Sequence, residues 1–292
     1  MNLKIGIVGH GFVGKAVDYG FETPNVSKFL VDPNYNTTID DLIKFTPDLV
    51  FICAPTPMSE TGEIDASIVM DAATKLLDKT NCLIVIKSTV TPNFIGELTL
   101  YPERGYRRIV YNPEFLTESN AKEQYINPEY QIMGGIEESI NQLIKYMNDY
   151  SHISVAPIIT MSAVEASFVK YAINSYLATK VTFFNQLYDA AQDWGCNFNL
   201  ILNGVSADSR IGKSHMKVPG YDGKRGYGGA CFPKDIRAFT KFTKRCTLLE
   251  KCDTINNNYR INYDKDDREV EQNVNYGQTE KEFENQLEFD FK

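Results

Sequence analysis

The chain has 292 residues, of which 43% are hydrophobic, so its size and composition predict two folded domains rather than a disordered protein. The formal net charge is −8, but residues 264–292 hold ten acidic and four basic residues, so the other 263 residues carry only −2. The nearly neutral charge of this part argues against nonspecific nucleic-acid binding, which needs a basic surface. The sequence contains no apolar run of roughly 20 residues, which argues against membrane insertion. Its start lacks a signal-peptide pattern, which argues against secretion.

Short apolar strands alternate with helical patterns through the first half of the chain. The predicted strands cover residues 3–8, 28–31, 49–54 and 82–87, and the predicted helices cover 14–21 and 67–77. The run at 49–54 is unbroken and apolar, as in a strand that is buried on both faces. The alternation predicts an α/β fold, a Rossmann-type parallel sheet domain at residues 1–155.

The second half has a helical character. Residues 162–194 contain neither proline nor glycine, and apolar residues recur every three or four positions, which predicts one long helix that ends at Gly195. A further helix is predicted at 198–206, and the helical pattern resumes after Pro233. We expect an all-helical central domain at residues 156–262. A helix of roughly thirty residues spans about 45 Å, more than a small domain needs, so we expect it to form a homodimer interface.

Residues 263–292 are polar and acidic, which predicts a flexible tail. Leu287, Phe289 and Phe291 alternate with polar residues, so a strand that pairs with a sheet edge is the alternative. A disordered tail remains the preferred interpretation.

Residues 9–14, with the sequence GHGFVG, form a G-x-G-x-x-G between a predicted strand and a predicted helix. Its glycines allow a tight turn, an approach of the backbone to a pyrophosphate and close packing of the helix on the strand. The helix N-terminus then offers amide donors to the phosphates. We expect the cofactor to bind at Gly9, Gly11, Phe12, Val13 and Gly14.

Asp32 ends the second predicted strand, eighteen residues after Gly14. A carboxylate there accepts hydrogen bonds from the adenosine ribose and repels the additional phosphate of NADP, which predicts NAD as the cofactor. The alternative is a turn aspartate before Pro33. We interpret His10 as a loop residue near the cofactor.

The six cysteines contain no CxxC pair and no disulfide framework, which predicts thiols, a cytoplasmic location and no bound metal. We interpret Cys53, Cys82 and Cys196 as structural, because they lie in apolar or helical settings. Cys231 follows two glycines and precedes Lys234, which would favour the thiolate.

Four segments together resemble the UDP-glucose/GDP-mannose dehydrogenase family. They are CAPTP at 53–57, KST at 87–89, NPEFLTE at 112–118 and GGACFPKD at 228–235, and the resemblance extends over residues 1 to about 260. It implies the four-electron oxidation of the C6 alcohol of a nucleotide sugar, UDP-glucose above all, to a carboxylate by two NAD⁺. UDP-N-acetylhexosamine and GDP-mannose are alternative substrates.

The resemblance also implies a role for each matching residue. Cys231 matches the nucleophile that forms a thiohemiacetal and then a thioester. Asp235 matches the aspartate that activates water, and Lys170 matches the lysine that stabilises an oxyanion. Asn174 matches a substrate-contacting asparagine, and Glu114 matches a glutamate that acts as an acid–base group. Without the resemblance, Lys170 would be interpreted as a surface lysine and Glu114 as a carboxylate at a helix start.

Further positions match the edges of the family's site. Those matching cofactor contacts are Thr56, Thr89 and Glu118, and those matching substrate contacts are Phe115, Leu116, Gly228 and Lys234. Arg210 resembles an arginine that reaches into the site of the partner subunit, with an ordinary surface arginine as the alternative. The glycine-rich loop 220–229 is expected to be mobile, and its Lys224 and Arg225 suit a diphosphate.

The largest departure from the family pattern is the C-terminal UDP-binding domain, a second Rossmann-like domain whose βαβ pattern residues 264–292 lack. We therefore expect altered nucleotide affinity or dependence on a partner chain. A non-catalytic binder of NAD or a nucleotide sugar is an alternative function, although it would have no need of a thiol beside acid–base groups. A hydroxyacid or 6-phosphogluconate-type dehydrogenase would share the fold but would need no cysteine.

Overall fold

The first half of the chain forms a seven-stranded sheet in the computed structural model, which describes residues 2–99, 106–117 and 120–277. The strands are β1 (Leu3–Val8), β2 (Val26–Val31), β3 (Leu49–Ile52), β4 (Leu83–Ile86), β5 (Ile109–Tyr111), β6 (Gln131–Gly134) and β7 (Ile158–Met161). Their order is β2-β1-β3-β4-β5-β6-β7, and every neighbouring pair is parallel except β5 with β6.

Helices cover both faces of this sheet. They are α1 (Phe12–Gly20), α2 (Ile39–Phe45), α3 (Ser67–Lys79), α4 (Pro92–Thr99), α5 (Ala121–Ile126) and α6 (Glu137–Tyr150). Successive strand residues point to opposite faces. In β3, Leu49 and Phe51 accordingly join one core cluster, whereas Val50 and Ile52 join the other. Burial on both sides explains the unbroken apolar run of this strand.

The second half is helical, as predicted. It contains α7 (Ala163–Asp193), α8 (Phe198–Ser206), α9 (Phe232–Thr243), α10 (Thr247–Arg260) and the short α11 (Asp267–Glu271). Helix α7 has 31 residues, about 46 Å at 1.5 Å per residue. None of the described helices combines the length and apolarity that a membrane crossing requires. The predicted fold class, a Rossmann-type domain followed by a helical domain, is confirmed.

The chain divides into two compact units. The first comprises Met1–Thr56 and Ile64–Lys170, and the second comprises Pro57–Glu63 and Tyr171–Lys292. This boundary lies inside α7, whereas the sequence pattern placed it near residue 155. The physical reason is that the start of α7 packs on the sheet, because Ala163 and Ala166 belong to the core cluster of the first unit.

Part of the predicted tail is folded in the second unit. Residues 263–277 contain α11, which begins with a reciprocal capping box between Asp266 and Glu269. Glu269, Val274 and Tyr276 are buried. For residues 263–277, the expectation of flexibility therefore differs from the structure. The alternating residues Leu287, Phe289 and Phe291 lie outside the described residues.

Candidate active site

The glycine turn after β1 has the shape that a dinucleotide pyrophosphate requires. Gly9 has φ +86°, and a Cβ there would lie 2.7 Å from the Cys53 carbonyl oxygen. A Cβ on Gly14 would lie 2.0 Å from the Gly9 carbonyl oxygen, so α1 can approach β1 only through glycine. At Gly11 a Cβ would meet no atom of the described residues within 4 Å, which leaves room for a phosphate. Helix α1 begins at Phe12, so its first amides are available to an anion.

Asp32, the predicted ribose ligand, lies directly after β2 and has a fixed carboxylate. Its Oδ2 accepts the backbone N–H of His10 at 2.8 Å, and its Oδ1 accepts the backbone and side-chain N–H groups of Asn34. Among the described contacts, one acceptor position of Oδ2 is left for a hydroxyl. Burial acts to raise the pKa of Asp32, but these hydrogen bonds outweigh it and the pKa is lowered. The carboxylate is therefore charged at neutral pH.

His10 has two side-chain partners beside the turn. Its Nε2 lies 3.2 Å from Asp18 Oδ2 and its Nδ1 lies 2.9 Å from the hydroxyl of Tyr35. Both ring nitrogens are thus engaged by neighbouring elements. This arrangement fits a loop residue that shapes the turn.

The ends of β3 and β4 place two predicted cofactor residues side by side. The hydroxyl of Thr56 donates to the carbonyl oxygen of Thr89 at 3.0 Å, and Ser88 Oγ donates to the Ala54 carbonyl oxygen at 2.7 Å. Because both strands are parallel, their carboxyl ends meet at the edge where Rossmann folds bind ligands. Glu118, the remaining predicted cofactor residue, lies outside the described residues.

Glu114 and Lys170 form a buried ion pair within the first unit. Lys170 Nζ donates to the Glu114 carbonyl oxygen at 2.6 Å and lies 3.3 Å from Glu114 Oε1. The two side chains are only 3% and 7% exposed. The Leu116 amide donates to Glu114 Oε2 at 2.7 Å, and the Lys170 ammonium lies over the ring of Phe115. A desolvated pair of this kind interacts more strongly with a charge that develops nearby than a solvated pair does.

Lys87 is a buried lysine to which the sequence assigned no role of its own. Its Nζ donates to the backbone and side-chain oxygens of Asn112 at 3.0 and 2.8 Å, and it borders a cavity of about 290 Å³ beside Glu114. Burial lowers the pKa of Lys87 to about 8 and raises that of Cys53 to about 12. A buried thiol with so high a pKa fits the structural interpretation of Cys53.

Cys231 lies at the N-terminus of α9 in the second unit. It is half-buried and is the N-cap residue of the helix. Its carbonyl oxygen accepts the backbone N–H of Asp235 at 2.9 Å, one helical turn later. All six cysteines lie in the described residues and are thiols, not disulfide-bonded.

Asp235 is held by two predicted site residues. Asn174 Nδ2 donates to its Oδ2, and Lys234 Nζ donates to its Oδ1, each at 2.6 Å. The three side chains are almost fully buried, with Asp235 at 0% exposure. Lys234 therefore directs its charge at Asp235, whereas the sequence led us to expect a contact with sugar or diphosphate.

The basic residues of the glycine-rich loop are already engaged. Arg225 lies between the rings of Tyr188 and Tyr259 and donates to Asn185 and Asp189. Lys224 donates to the carbonyl oxygen of Asp264. Neither side chain is free to hold a diphosphate in this arrangement, in contrast to the expectation from the sequence.

The side chain of Arg210 lies at the surface of the second unit. Its side chain is 86% exposed and forms a bidentate pair with Asp208, two residues earlier. Its predicted contact with a partner subunit stays a prediction.

Within each unit, then, the structure brings predicted residues together. The first unit assembles Glu114, Phe115, Leu116 and Lys170, and the second assembles Asn174, Lys234 and Asp235 one helical turn from Cys231. Gly228 lies at the end of the glycine-rich loop. Sequence reasoning missed Lys87 and the buried Glu269, although the Asp266-x-x-Glu269 capping pattern is a signal for the helix that carries the latter.

Known proteins resemble this chain in sequence and in structure. The UDP-glucose 6-dehydrogenase of Rickettsia typhi (strain ATCC VR-144 / Wilmington) is 31% identical over 288 residues, a match that covers 85% of this chain and 65% of that protein. The chain thus spans slightly less than two thirds of that relative's length.

Two solved structures share its fold. A UDP-glucose dehydrogenase from the hyperthermophilic archaeon Pyrobaculum islandicum matches with 25% identity and a TM-score of 0.73, covering 86% of this chain and 67% of that chain. A UDP-D-ManNAc dehydrogenase from Pyrococcus horikoshii matches with 19% identity and a TM-score of 0.71, covering 87% and 68%, and supports the fold alone.

Two family models match most of the chain. Residues 34–152 match the NAD binding domain of the UDP-glucose/GDP-mannose dehydrogenase family, and residues 164–258 match its central domain. The predicted family and the predicted cofactor, NAD, are confirmed. The chain belongs to the UDP-glucose/GDP-mannose dehydrogenase family.

Proposed function

We propose that the protein is an NAD-dependent dehydrogenase that oxidises the C6 alcohol of UDP-glucose to a carboxylate, giving UDP-glucuronate. The observation that carries the proposal is the thiol of Cys231, which lies one helical turn before Asp235, a buried carboxylate held by Asn174 and Lys234. A nucleophile next to a fixed acid–base group is the arrangement that covalent catalysis needs. A protein that only bound nucleotides would have no use for it.

The thiol explains how an alcohol becomes an acid without releasing an aldehyde. Bound NAD supplies the chemistry of hydride acceptance in each of the two oxidations. In our proposal, Cys231 Sγ adds to the C6 aldehyde and forms a thiohemiacetal, whose carbon then loses a hydride and becomes a thioester. Water adds to the thioester, the C–S bond breaks, and the carboxylate leaves while the sulfur regains its proton. Two NAD⁺ and one water are consumed for each sugar.

The buried carboxylate and the buried ion pair take the remaining roles. Asp235 offers about four acceptor positions, and its bonds to Asn174 and Lys234 leave two for a water molecule. In our proposal, Lys170 stabilises the oxyanion and Glu114, its partner in the ion pair, moves the proton. Lys170 and Lys234 are almost fully buried, so bulk water screens their charges little.

A panel of nucleotide sugars tests this function through the absorbance of NADH. We expect UDP-glucose to give the highest kcat/KM, with UDP-N-acetylhexosamine and GDP-mannose far below it. Faster oxidation of either alternative sugar would refute the substrate but keep the chemistry. No NADH with any of the three sugars would support a non-catalytic binder and contradict the proposal.

We further propose that the protein is cytoplasmic and dimerises through α7. Tyr176 and Phe183 are 61% and 58% exposed and lie seven residues apart, on the same face of the helix. Large exposed aromatic groups on one face favour a partner surface, and the exposed Arg210 is available to reach a second subunit. Measurement of the mass in solution tests this, and a stable monomer would contradict it.

A further inference from the structure

The glycine-rich loop before Cys231 is anchored by residues near the end of the described chain. We call residues 266–277 the strap; it contains α11 and the buried Val274 and Tyr276. The strap and the loop belong to the same unit. Their contacts centre on one carboxylate, that of Glu269, which is 0% exposed.

Glu269 accepts four hydrogen bonds, which come from three segments of the chain. Its Oε1 accepts the Tyr276 hydroxyl at 2.6 Å, Arg260 Nη2 at 2.7 Å and the backbone N–H of Gly229 at 3.1 Å. Its Oε2 accepts the backbone N–H of Asp266 at 3.0 Å. A carboxylate has about four acceptor positions. Glu269 thus connects α10, the strap and the loop.

Arg260 connects Glu269 to the start of the loop. It is 1% exposed, and its Nη1 donates to Asp222 Oδ2 at 2.7 Å while its Nη2 is paired with Glu269. A Cβ on Gly228 would lie only 1.9 Å from Arg260 Nη2. The loop therefore lies directly against the ion pair at Gly228 and is bonded to it at Asp222 and Gly229.

The bond to Gly229 is the link that reaches the thiol. Gly229 lies two residues before Cys231 and has φ +78°, a conformation that glycine adopts without strain. Glu269 already has an ion-pair partner in Arg260, which it shares with Asp222, so the Gly229 amide is an additional donor to this carboxylate. The bond holds the backbone two residues before Cys231, the N-cap residue of α9.

We propose that Glu269 is a positioning residue for Cys231, and that the strap holds the sulfur in the geometry that attack on a carbonyl carbon requires. The catalytic consequence rests on the proposed function, whereas the placement of the thiol does not. Misplacement of a reacting atom by about 1 Å can cost on the order of 100-fold in rate. A loop released at Gly229 should therefore lower kcat.

The test compares Glu269→Gln and Tyr276→Phe with Glu271→Gln, an exposed residue of the same helix. We expect kcat to fall about 30-fold in Glu269→Gln and about threefold in Tyr276→Phe. The KM for NAD should stay within about twofold, because the predicted NAD-binding residues lie in the other unit. Glu271→Gln should match the wild type in both quantities.

A second readout does not depend on turnover. Alkylation of Cys231 by iodoacetamide can be followed by mass spectrometry of the peptide that contains this residue. It should be about threefold faster in Glu269→Gln, because Cys231 is half-buried and its sulfur becomes more accessible to the reagent. Hydrogen exchange at residues 226–231 should be about tenfold faster. Neither should change in Glu271→Gln.

Three outcomes distinguish the positioning role of Glu269 from the proposed function. A folded Glu269→Gln with wild-type kcat, alkylation and exchange would overturn the proposal. If Glu269→Gln does not fold, Tyr276→Phe decides, and wild-type values there would overturn it as well. If the wild type reduces no NAD with any nucleotide sugar, the proposed function fails, and faster alkylation in Glu269→Gln would still support the positioning of the thiol.

Discussion

Replacement of Gly228 by alanine tests the packing beneath the nucleophile loop. The new methyl group would lie 1.9 Å from Arg260 Nη2 and 2.3 Å from Glu269 Oε1, far inside van der Waals contact. Arg260 is 1% exposed and paired on two sides, so its guanidinium cannot turn into solvent without losing a partner. Loss of one partner of a buried ion pair costs about 3–5 kcal/mol. The lower entropy of the unfolded chain offsets about 0.4–1 kcal/mol, so we expect Gly228→Ala to lower the free energy of unfolding by about 3 kcal/mol.

Urea unfolding followed by circular dichroism measures this change, and two further glycines serve as controls. Gly204 lies in α8, where a Cβ would meet no described atom within 4 Å, so Gly204→Ala should stabilise the protein by about 0.5–1 kcal/mol. Gly229 has equally open surroundings but φ +78°, so Gly229→Ala should cost about 1–2 kcal/mol through backbone strain. A Gly228→Ala variant as stable as the wild type would refute the account of the ion pair.

Three other predictions concern the site. Because burial lowers the pKa of Lys87 from 10.5 to about 8, the unfolded chain binds a proton between these pH values that the folded chain does not. The free energy of unfolding should therefore rise by about 3 kcal/mol between pH 8 and 10.5 relative to that of Lys87→Met. Urea unfolding that shows the same pH dependence for both proteins would contradict this. Asp32→Ala should weaken NAD about tenfold in calorimetry and NADP less; an unchanged preference for NAD would exclude Asp32 as the ribose ligand. Asn174→Ala removes a 2.6 Å bond to Asp235 and should lower kcat about tenfold at unchanged KM for NAD, whereas wild-type kcat would argue against a role for Asp235.

The sequence predicted those elements whose signal is local. The apolar runs of β3 and β4 reflect burial on both faces, and the stretch without proline or glycine reflects α7. The glycine turn could be predicted because each glycine of the G-x-G-x-x-G pattern meets a separate steric requirement. By contrast, β5 has only three residues and pairs with β6 at a single position, too little for a periodic pattern.

The strap and the glycine-rich loop show why other parts of the fold and the site could not be predicted from the sequence. Composition alone predicts that an acidic segment is flexible, yet Glu269 forms a buried ion pair with Arg260, nine residues earlier. Similarly, Arg225 looks available for a phosphate until Asp189 is found beside it, 36 residues away in sequence. Tertiary partners of charged residues cannot be seen in local composition. For the candidate site, the resemblance supplied the residues, and the structure supplied the pairs that they form.

The amount of NADH formed from a limiting amount of UDP-glucose, in the wild type and in Cys231→Ser, tests the proposed function most directly. The account predicts two NADH per sugar in the wild type. In Cys231→Ser the reaction should stall at the aldehyde or at the covalent stage, with fewer than two NADH. A Cys231→Ser protein that still forms two NADH per sugar at the wild-type rate would contradict the role of the thiol.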